Sequence, residues 1–293
     1  MSEKYLLFVP QNGFNDCCTH IEKTISYCVS TNRVLLLDFT RSLYGINFSD
    51  YFYTRSSRCK IIYDTNEIIN ILTALRKSGR LSVYPKHIDF DVIRYLEGTQ
   101  SVAKFRWEGK TNYTHSYRGK GFELPSDSNE TLIFHCAGTG GDGYQFFKTL
   151  GLRDNVKMAI KEKVHKLGQD YLCIQVRNTD IKSNFQGLYD ENKTLIDGFE
   201  RVYICTDDRK VYEFFKSKLK NVVCFTTFPP PSQAGKNLHE SKGVSSSQRM
   251  LDLLVDILIA TNSKTILSNS KGGFIYLLRS CHQNKSHVLK MLE

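Results

Sequence analysis

The sequence predicts an α/β protein built from parallel sheets with helices on both faces. Three observations carry this. Short apolar runs of strand length alternate with segments of helical periodicity. The runs are apolar throughout, as strands covered on both faces are, and do not alternate polar with apolar. A complete strand, glycine loop, helix and strand unit fills residues 4–39, and a strand–helix–strand unit implies parallel pairing.

The elements follow in order. KYLLFV (4–9) is the first strand, and PQNGFND turns the chain into a helix over 16–30, with Asn15 or Asp16 as its cap. Cys18, Ile21, Ile25, Cys28 and Val29 fall near helical spacing there. RVLLLDF (33–39) is a buried strand that ends on an acid, Asp38. Residues 66–77 form a helix with Ile68, Ile69, Leu72 and Leu75 on one face. Residues 79–130 give no clear pattern. LIFHCAG (132–138) is a strand that runs into a glycine cluster at 138–143, and 144–166 is helical, a bridge between two halves. The second half repeats the alternation with strands YLCIQVR (171–177), RVYICTD (201–207), NVVCFTT (221–227) and KTILSNS (264–270). Helices lie at 209–219 and 248–262 and begin again at 272, and 228–247 is a loop. Such repetition predicts doubly wound sheets, in which ligands bind beyond the carboxyl ends of the strands.

Composition narrows the class. The 293 residues suit two domains of about 150 residues. Lys and Arg number 40 against 30 Asp and Glu, a net charge of +10, which favours phosphorylated partners. The basic residues form no run of five or more and no tail, so nothing points to nucleic acid. The nine cysteines are scattered without a CxxC pair, several inside strand-like runs, which reads as reduced core thiols and not as a zinc site or a disulfide framework. The first apolar run is too short for a signal segment or a membrane span, so the expectation is a cytoplasmic-type protein with no membrane span.

Four clusters at strand ends are candidates for chemistry. Gly13-Phe14-Asn15 opens the first helix, where a glycine lets a substrate approach backbone N–H groups, or is a plain turn. The spacing is not the glycine fingerprint that a dinucleotide enzyme needs. Arg177-Asn178-Thr179-Asp180 closes an apolar strand. Arg177 there suits a diphosphate clamp and Asp180 a proton acceptor, or the two form a structural pair. Thr206-Asp207-Asp208 offers paired carboxylates for a ribose, a base edge, a metal or acid–base work, or else a helix cap. Ser268-Asn269-Ser270-Lys271-Gly272-Gly273 is a small polar loop before a helix, suited to phosphate or to simple capping. His20, His87 and His135 are isolated and read as structural or surface residues. Tyr84, Tyr95 and Trp107 are available to stack a sugar ring or to pack.

Read together, VRNTD (176–180), YICTDD (203–208) and DILIATNSKTILSNSKGG (256–273) resemble three C-terminal motifs of the α-1,6- and O-fucosyltransferase superfamily, NodZ-type enzymes among them. QNGFNDCCTHIEKTISYCVSTNRVLLLD (11–38) is similar to the family's glycine loop, helix and strand. The match covers residues 1–40 and most of 170–282. The resemblance implies a GT-B fold of two Rossmann-like domains facing across a cleft. They are expected here as 1–160 on the acceptor side and 161–293 on the nucleotide-sugar side. It implies an inverting, metal-independent transferase without a cofactor, taking GDP-fucose and a carbohydrate or glycoprotein hydroxyl. On that likeness Arg177 neutralises the β-phosphate, Thr206 and Asp207 lie near the nucleoside, and Ser268, Asn269, Ser270, Lys271 and Gly272 contact phosphate or sugar. Gly13 and Asn15 meet the donor from the other domain, and Asp256 braces the helix before the loop. The sequence departs from the pattern at Gln175 (His in the family), Asn178 (a second Arg), Ile181 (Lys) and Phe185, where the catalytic carboxylate falls. The base is then Asp180 or an acid of the N-terminal domain. UDP-xylose or another GDP-deoxyhexose is an alternative donor, and a non-catalytic nucleotide- or glycan-binding protein an alternative function.

Overall fold

The computed structural model describes residues 3–84, 124–126, 128–136, 140–179, 181–230 and 243–293. His87, Tyr95, Trp107, Gly138 and Asp180 lie outside the described residues. The chain divides into two compact units, Met1–Gly151 and Leu152–Glu293.

The first unit is built on a parallel sheet in the order β4-β2-β1-β6-β5. Its strands are β1 (Lys4–Phe8), β2 (Arg33–Leu37), β4 (Ile61–Ile62), β5 (Val83–Tyr84) and β6 (Leu132–His135). All five residues of β2 are buried, the signature of a strand covered on both faces. One face packs Leu7, Val9, Val34, Leu36 and Phe134 against Ile68, Leu72 and Leu75 of helix α2 (Thr65–Lys77). Asp64 caps α2 by accepting from the Glu67 N–H at 2.8 Å. Helix α1 (Phe14–Thr31) packs on β1 and β2. It uses Cys18, Ile21, Ile25 and Cys28 as the spacing predicts, whereas Val29 faces solvent. A separate two-stranded sheet pairs β3 (Phe52–Thr54) with β7 (Leu150–Leu152).

The start of α1 differs from expectation. Its cap is Gly13, which has no side chain to offer, and Asn15 and Asp16 lie inside the first turn. Their side chains are used elsewhere. Asp16 accepts from the Gly140 N–H at 3.2 Å, Asn15 Oδ1 accepts from the Gly143 N–H at 3.1 Å, and Asn15 Nδ2 donates to the Gly141 carbonyl at 3.2 Å. The loop after β6 is thus stitched to α1, and the approach is close enough to require glycine. Gly141 has φ +108, and a Cβ there would sit 2.4 Å from Thr19 Cγ2. The predicted helix over 144–166 is also interrupted. A short helix α3 (Tyr144–Phe147) leads into β7, and a second helix α4 (Asp154–Leu167) follows. The expected domain boundary at residue 160 falls inside α4, which packs on helices of the second unit.

The second unit carries a parallel sheet in the order β10-β9-β8-β11: β8 (Tyr171–Val176), β9 (Arg201–Thr206), β10 (Val222–Val223) and β11 (Thr265–Leu267). Its side chains obey the period of two. Leu172, Ile174, Val176, Val202 and Ile204 pack under Leu188 and Tyr189 of α5 (Phe185–Glu191), Ile196 of α6 (Lys193–Asp197) and Val211 and Phe215 of α7 (Arg209–Lys218). Tyr171 and Tyr203 point to the opposite face, where their hydroxyls donate to the Ile259 carbonyl and Asp256 of α8 (Ser246–Asn262). Helix α9 (Gly273–Gln283) follows β11, and a short α10 (Lys285–Val288) runs into a closing 3₁₀ helix (Leu289–Leu292). β10 is shorter than the run NVVCFTT implies, because the Thr227 N–H leaves the ladder and donates to Asp252 at 2.7 Å. Among the described residues no helix is long and apolar enough to cross a membrane.

The stitched glycine loop gives a direct expectation. Gly141→Ala should lower the stability of the first unit by about 1–3 kcal/mol through strain and the Thr19 clash, read as a lower urea midpoint. Gly13→Ala should leave the midpoint in place, since Gly13 has φ −57 and nothing lies within 4 Å of an added Cβ. Equal midpoints for Gly141→Ala and wild type would remove the argument.

Candidate functional site

In the second unit the strand order reverses at β8: β9 and β10 lie on one side and β11 on the other. The loops leaving β8 and β11 therefore diverge from a crevice at the carboxyl edge of the sheet, the position where doubly wound sheets bind ligands. Residues 177–184 leave β8 and 268–272 leave β11. The structure brings these two candidate segments together.

The turn after β8 is held from both neighbours. On one side the Arg177 N–H donates to Ser270 Oγ at 2.8 Å. On the other, Asp207 at the end of β9 accepts from the Asn178 N–H at 2.7 Å and from Thr179 Oγ1 at 2.6 Å. Asn178 Nδ2 also donates to Asp208 at 2.9 Å, while Asp208 caps α7 through the Lys210 N–H at 2.9 Å. The two carboxylates at 207 and 208 thus brace a loop and cap a helix. Thr206 is buried, and its hydroxyl accepts from the Asp208 N–H at 3.2 Å. Among the described residues no group of three or more His, Cys, Asp or Glu is placed to hold a metal ion.

The loop after β11 is folded over the end of β8. Ser268 Oγ donates to Gln175 Oε1 at 2.7 Å and accepts from the Ser270 N–H at 3.0 Å, and Asn269 Nδ2 donates to the Asn184 carbonyl at 2.8 Å. Gln175, where the resemblance expects His, is buried and serves as the strut for this loop. Gly272 has φ +139, and a Cβ there would meet Arg177 Nη1 at 3.2 Å, which places the guanidinium against the backbone that opens α9. Arg177 and the loop thus converge where the N–H groups of α9's first turn, lacking acceptors within the helix, project. Lys271 in the same loop is exposed.

Sequence reasoning missed three contributors. Ser183 Oγ donates to the Arg177 carbonyl at 2.7 Å and lies 3.3 Å from Ser270 Oγ, closing the crevice wall. Lys182 Nζ donates to the Asn178 carbonyl at 2.5 Å, and Asn184 caps α5 by accepting from the Gly187 N–H at 3.0 Å. The signal available was Ser-Asn ahead of a helix, a capping pattern. Phe185 is part of the packing, edge-on to Phe214 at 5.2 Å. Gly13 and Asn15 belong to the first unit, where Gly13 is exposed and Asn15 is engaged by the glycine loop. His20 and His135 are buried side by side, 3.3 Å between Nδ1 and Nε2. Burial, with the neighbouring His20, holds His135 down to about 3, so it is neutral across the working range.

The architecture has known counterparts. The fold is similar to that of NodZ α-1,6-fucosyltransferase co-crystallised with GDP, at 16% identity and a TM-score of 0.58 over 94% of this chain and 92% of that one. Fucosyltransferase NodZ from Bradyrhizobium matches at 14% identity and 0.59, over 94% and 92% of the two chains. POFUT1 in complex with GDP-fucose matches at 12% and 0.54, over 95% and 94%. The chain has the GT-B fold of the NodZ-type fucosyltransferases. No protein-family model and no curated protein matches the sequence. In this NodZ-like fold the likeness extends along nearly the whole chain while few residues are shared, so the architecture is held by pattern more than by identity.

Beneath the crevice lies a buried acid. Asp256 of α8 accepts from the Tyr203 hydroxyl, and Cys205, Cys173, Cys224, Asp252 and Lys163 are its other titratable neighbours. Burial raises its carboxyl to about 7, the Asp252 charge adding to the shift, against the Tyr203 and Cys205 hydrogen bonds and the Lys163 charge. The folded state therefore holds a proton that the unfolded chain, near 3.8, has lost. Stability is greatest below the unfolded value, falls as pH rises toward about 7, and is flat beyond it for this group. Asp256→Asn should flatten that slope in urea titrations between pH 5 and 7. An unchanged slope would show that Asp256 is not the buried proton carrier.

Proposed function

We propose that this chain is a glycosyltransferase that moves a sugar from a nucleoside diphosphate donor to a hydroxyl acceptor. The observation that carries the reading is the convergence of the Arg177 guanidinium, Gly272 and the N-terminus of α9 at the switch point between β8 and β11. Breaking a glycosyl–phosphate bond leaves negative charge on the departing diphosphate. A guanidinium offers paired donors to phosphate oxygens, and a helix start adds N–H groups and a favourable dipole. Both are preorganised, because Ser270 and Asp207 hold the Arg177 and Asn178 backbone N–H groups and the Thr179 hydroxyl before any ligand arrives. Lys271 adds a second cation, Ser268 and Asn269 shape the loop, and Thr206 and Asp207 lie on the nucleoside side of the crevice.

In this reading the leaving charge is met by side chains and helix, not by a divalent cation. Support comes from Asp207 and Asp208, whose oxygens are engaged by Asn178, Thr179 and Lys210. Transfer is a single in-line displacement with inversion, and Asp180 takes the acceptor proton. GDP-fucose is the first donor to test, since NodZ soaked with GDP-fucose and POFUT1 in complex with GDP-fucose share the fold. UDP-xylose and other GDP-deoxyhexoses follow. The wild type should transfer sugar in EDTA, and Arg177→Ala should lower the rate about 100- to 1,000-fold with its unliganded Tm unchanged. Full turnover in Arg177→Ala, or activity that returns only with Mn²⁺, would overturn the assignment.

One observation favours a second reading, a non-catalytic nucleotide- or glycan-binding protein. Phe185, where the resemblance places a carboxylate, is committed to packing against Phe214. Asp180→Asn separates the two. A transferase should lose turnover while a nucleotide sugar at 100 Kd still stabilises the variant by about 2.7 kcal/mol. A wild type that binds the donor but neither transfers nor hydrolyses it would establish the binding protein.

A further inference from the structure

Several lysines of the second unit are answered by an acid. Lys157 pairs with Asp154, Lys166 with Glu162, Lys193 with Asp197 and Lys264 with Asp170. Helix α7 is different. Arg209, Lys210, Lys216 and Lys218 of the helix and Lys220 just after it are all exposed. Among the described residues none of these five side chains makes an ion pair or a hydrogen bond, and Glu213 is the one acid within the helix. Three of the cations rest on rings instead. Arg209 Cζ lies 5.6 Å from the Phe228 ring centroid, Lys216 Nζ 5.7 Å from that of Tyr212, and Lys218 Nζ 5.9 Å from that of Phe214. Tyr212 and Phe228 are themselves stacked, 6.2 Å apart and 24° from parallel, so Arg209, Phe228, Tyr212 and Lys216 form one continuous row.

Folding accounts for only part of this arrangement. Val211 and Phe215 are buried and fix α7 on the sheet. Lys216 and Lys218 sit in the last turn, where a cation meets the negative end of the helix dipole. Arg209 and Lys210 open the helix at its positive end, where the same rule favours acids, and the first turn holds none. Asp208 at the cap offsets part of that cost through the Lys210 N–H. Two cations are thus kept where the helix itself disfavours them, which points to an anionic partner outside it.

We propose that the exposed face of α7, continued by Lys220, is a docking surface for an anionic lipid bilayer, bound peripherally and without a span. The residue types select this partner. Four of the five cations are lysines, which protein interfaces disfavour but which a diffuse negative surface accepts without a fixed register. Nucleic acid would need open ring faces for its bases, whereas Tyr212, Phe214 and Phe228 already carry the protein's own cations. Those half-buried rings hold the charged heads in place, and an amphipathic ring such as Tyr212 suits the headgroup layer. At about fivefold per net cation, the face favours anionic over neutral lipid on the order of several hundredfold. The proposal goes beyond the transferase reading and does not rest on it, so its test needs no sugar donor.

The full chain is sedimented with phosphatidylcholine vesicles, with and without phosphatidylserine. It should partition onto the phosphatidylserine vesicles alone and come off as salt is raised. The pair Arg209→Gln and Lys210→Gln should weaken that partition about 25-fold while Tm holds or rises, because the change relieves the helix dipole. A merely structural role for the two residues would lower Tm and leave the partition in place. Lys157→Gln with Lys166→Gln removes the same net charge from α4 and should leave binding near the wild-type level. Equal partition onto neutral and anionic vesicles, or equal loss in the α4 and α7 pairs, would overturn the proposal. So would a mixed-sequence RNA oligonucleotide held more tightly than the vesicles and lost in the α7 pair, which would make the face a nucleic-acid site.

Discussion

Asp207 is the anchor on which the crevice of the second unit depends. One carboxylate, at the end of β9, takes the Asn178 N–H on one oxygen and the Thr179 hydroxyl on the other. Parallel strands leave their terminal backbone groups without ladder partners, and a loop that leaves the sheet must find acceptors elsewhere. Here a side chain from the neighbouring strand supplies them, while Ser270 supplies the matching contact from β11. The position of the Arg177 head therefore follows from backbone restraints on both flanks and not from the flexible side chain alone. That is the condition for electrostatic stabilisation without reorganisation.

The same economy of roles recurs below. The period of two sends Leu172, Ile174 and Val176 to one face of β8 and Tyr171, Cys173 and Gln175 to the other. The first set closes a dry core with α5, α6 and α7. The second meets α8 with hydroxyl and thiol groups and the loop after β11 with the Gln175 amide, so its interior is polar and has to be satisfied bond by bond. Tyr171 to the Ile259 carbonyl, Tyr203 to Asp256 and Ser268 to Gln175 do this in turn, rising from the amino end of β8 to its carboxyl edge.

Much of this was legible in the sequence. Uninterrupted apolar runs such as VLLL at 34–37 and YLCI at 171–174 identified buried parallel strands, and the residues just past them marked the crevice. The physics behind that legibility is strong: a strand covered on both faces has almost no polar positions to spare. Legibility failed where partners are distant in the chain. Asn15 and Asp16 carry the composition of a helix cap, yet long-range bonds to the glycine loop override it. The break of 144–166 into α3, β7 and α4 rests on pairing with β3, which local periodicity does not register. The paired acids at 207 and 208 left metal, ribose and cap open, because only the fold shows which N–H groups stand opposite them. Ser183 offered only a capping pattern for the same reason, and its contact with Ser270 shows only in the fold.

Gly272 carries a lesson about how such a protein changes over generations. Its positive φ strains any residue with a side chain, and a Cβ there would press on the nearby Arg177 head at 3.2 Å. Every missense change one nucleotide from a glycine codon adds a Cβ, and each would strain the turn and press on the guanidinium at once. Lineages that keep the crevice are therefore confined to glycine at this codon, whereas exposed neighbours such as Lys271 are open to drift. A descendant that no longer uses the crevice should show its first decay there, with the sheet beneath it still intact.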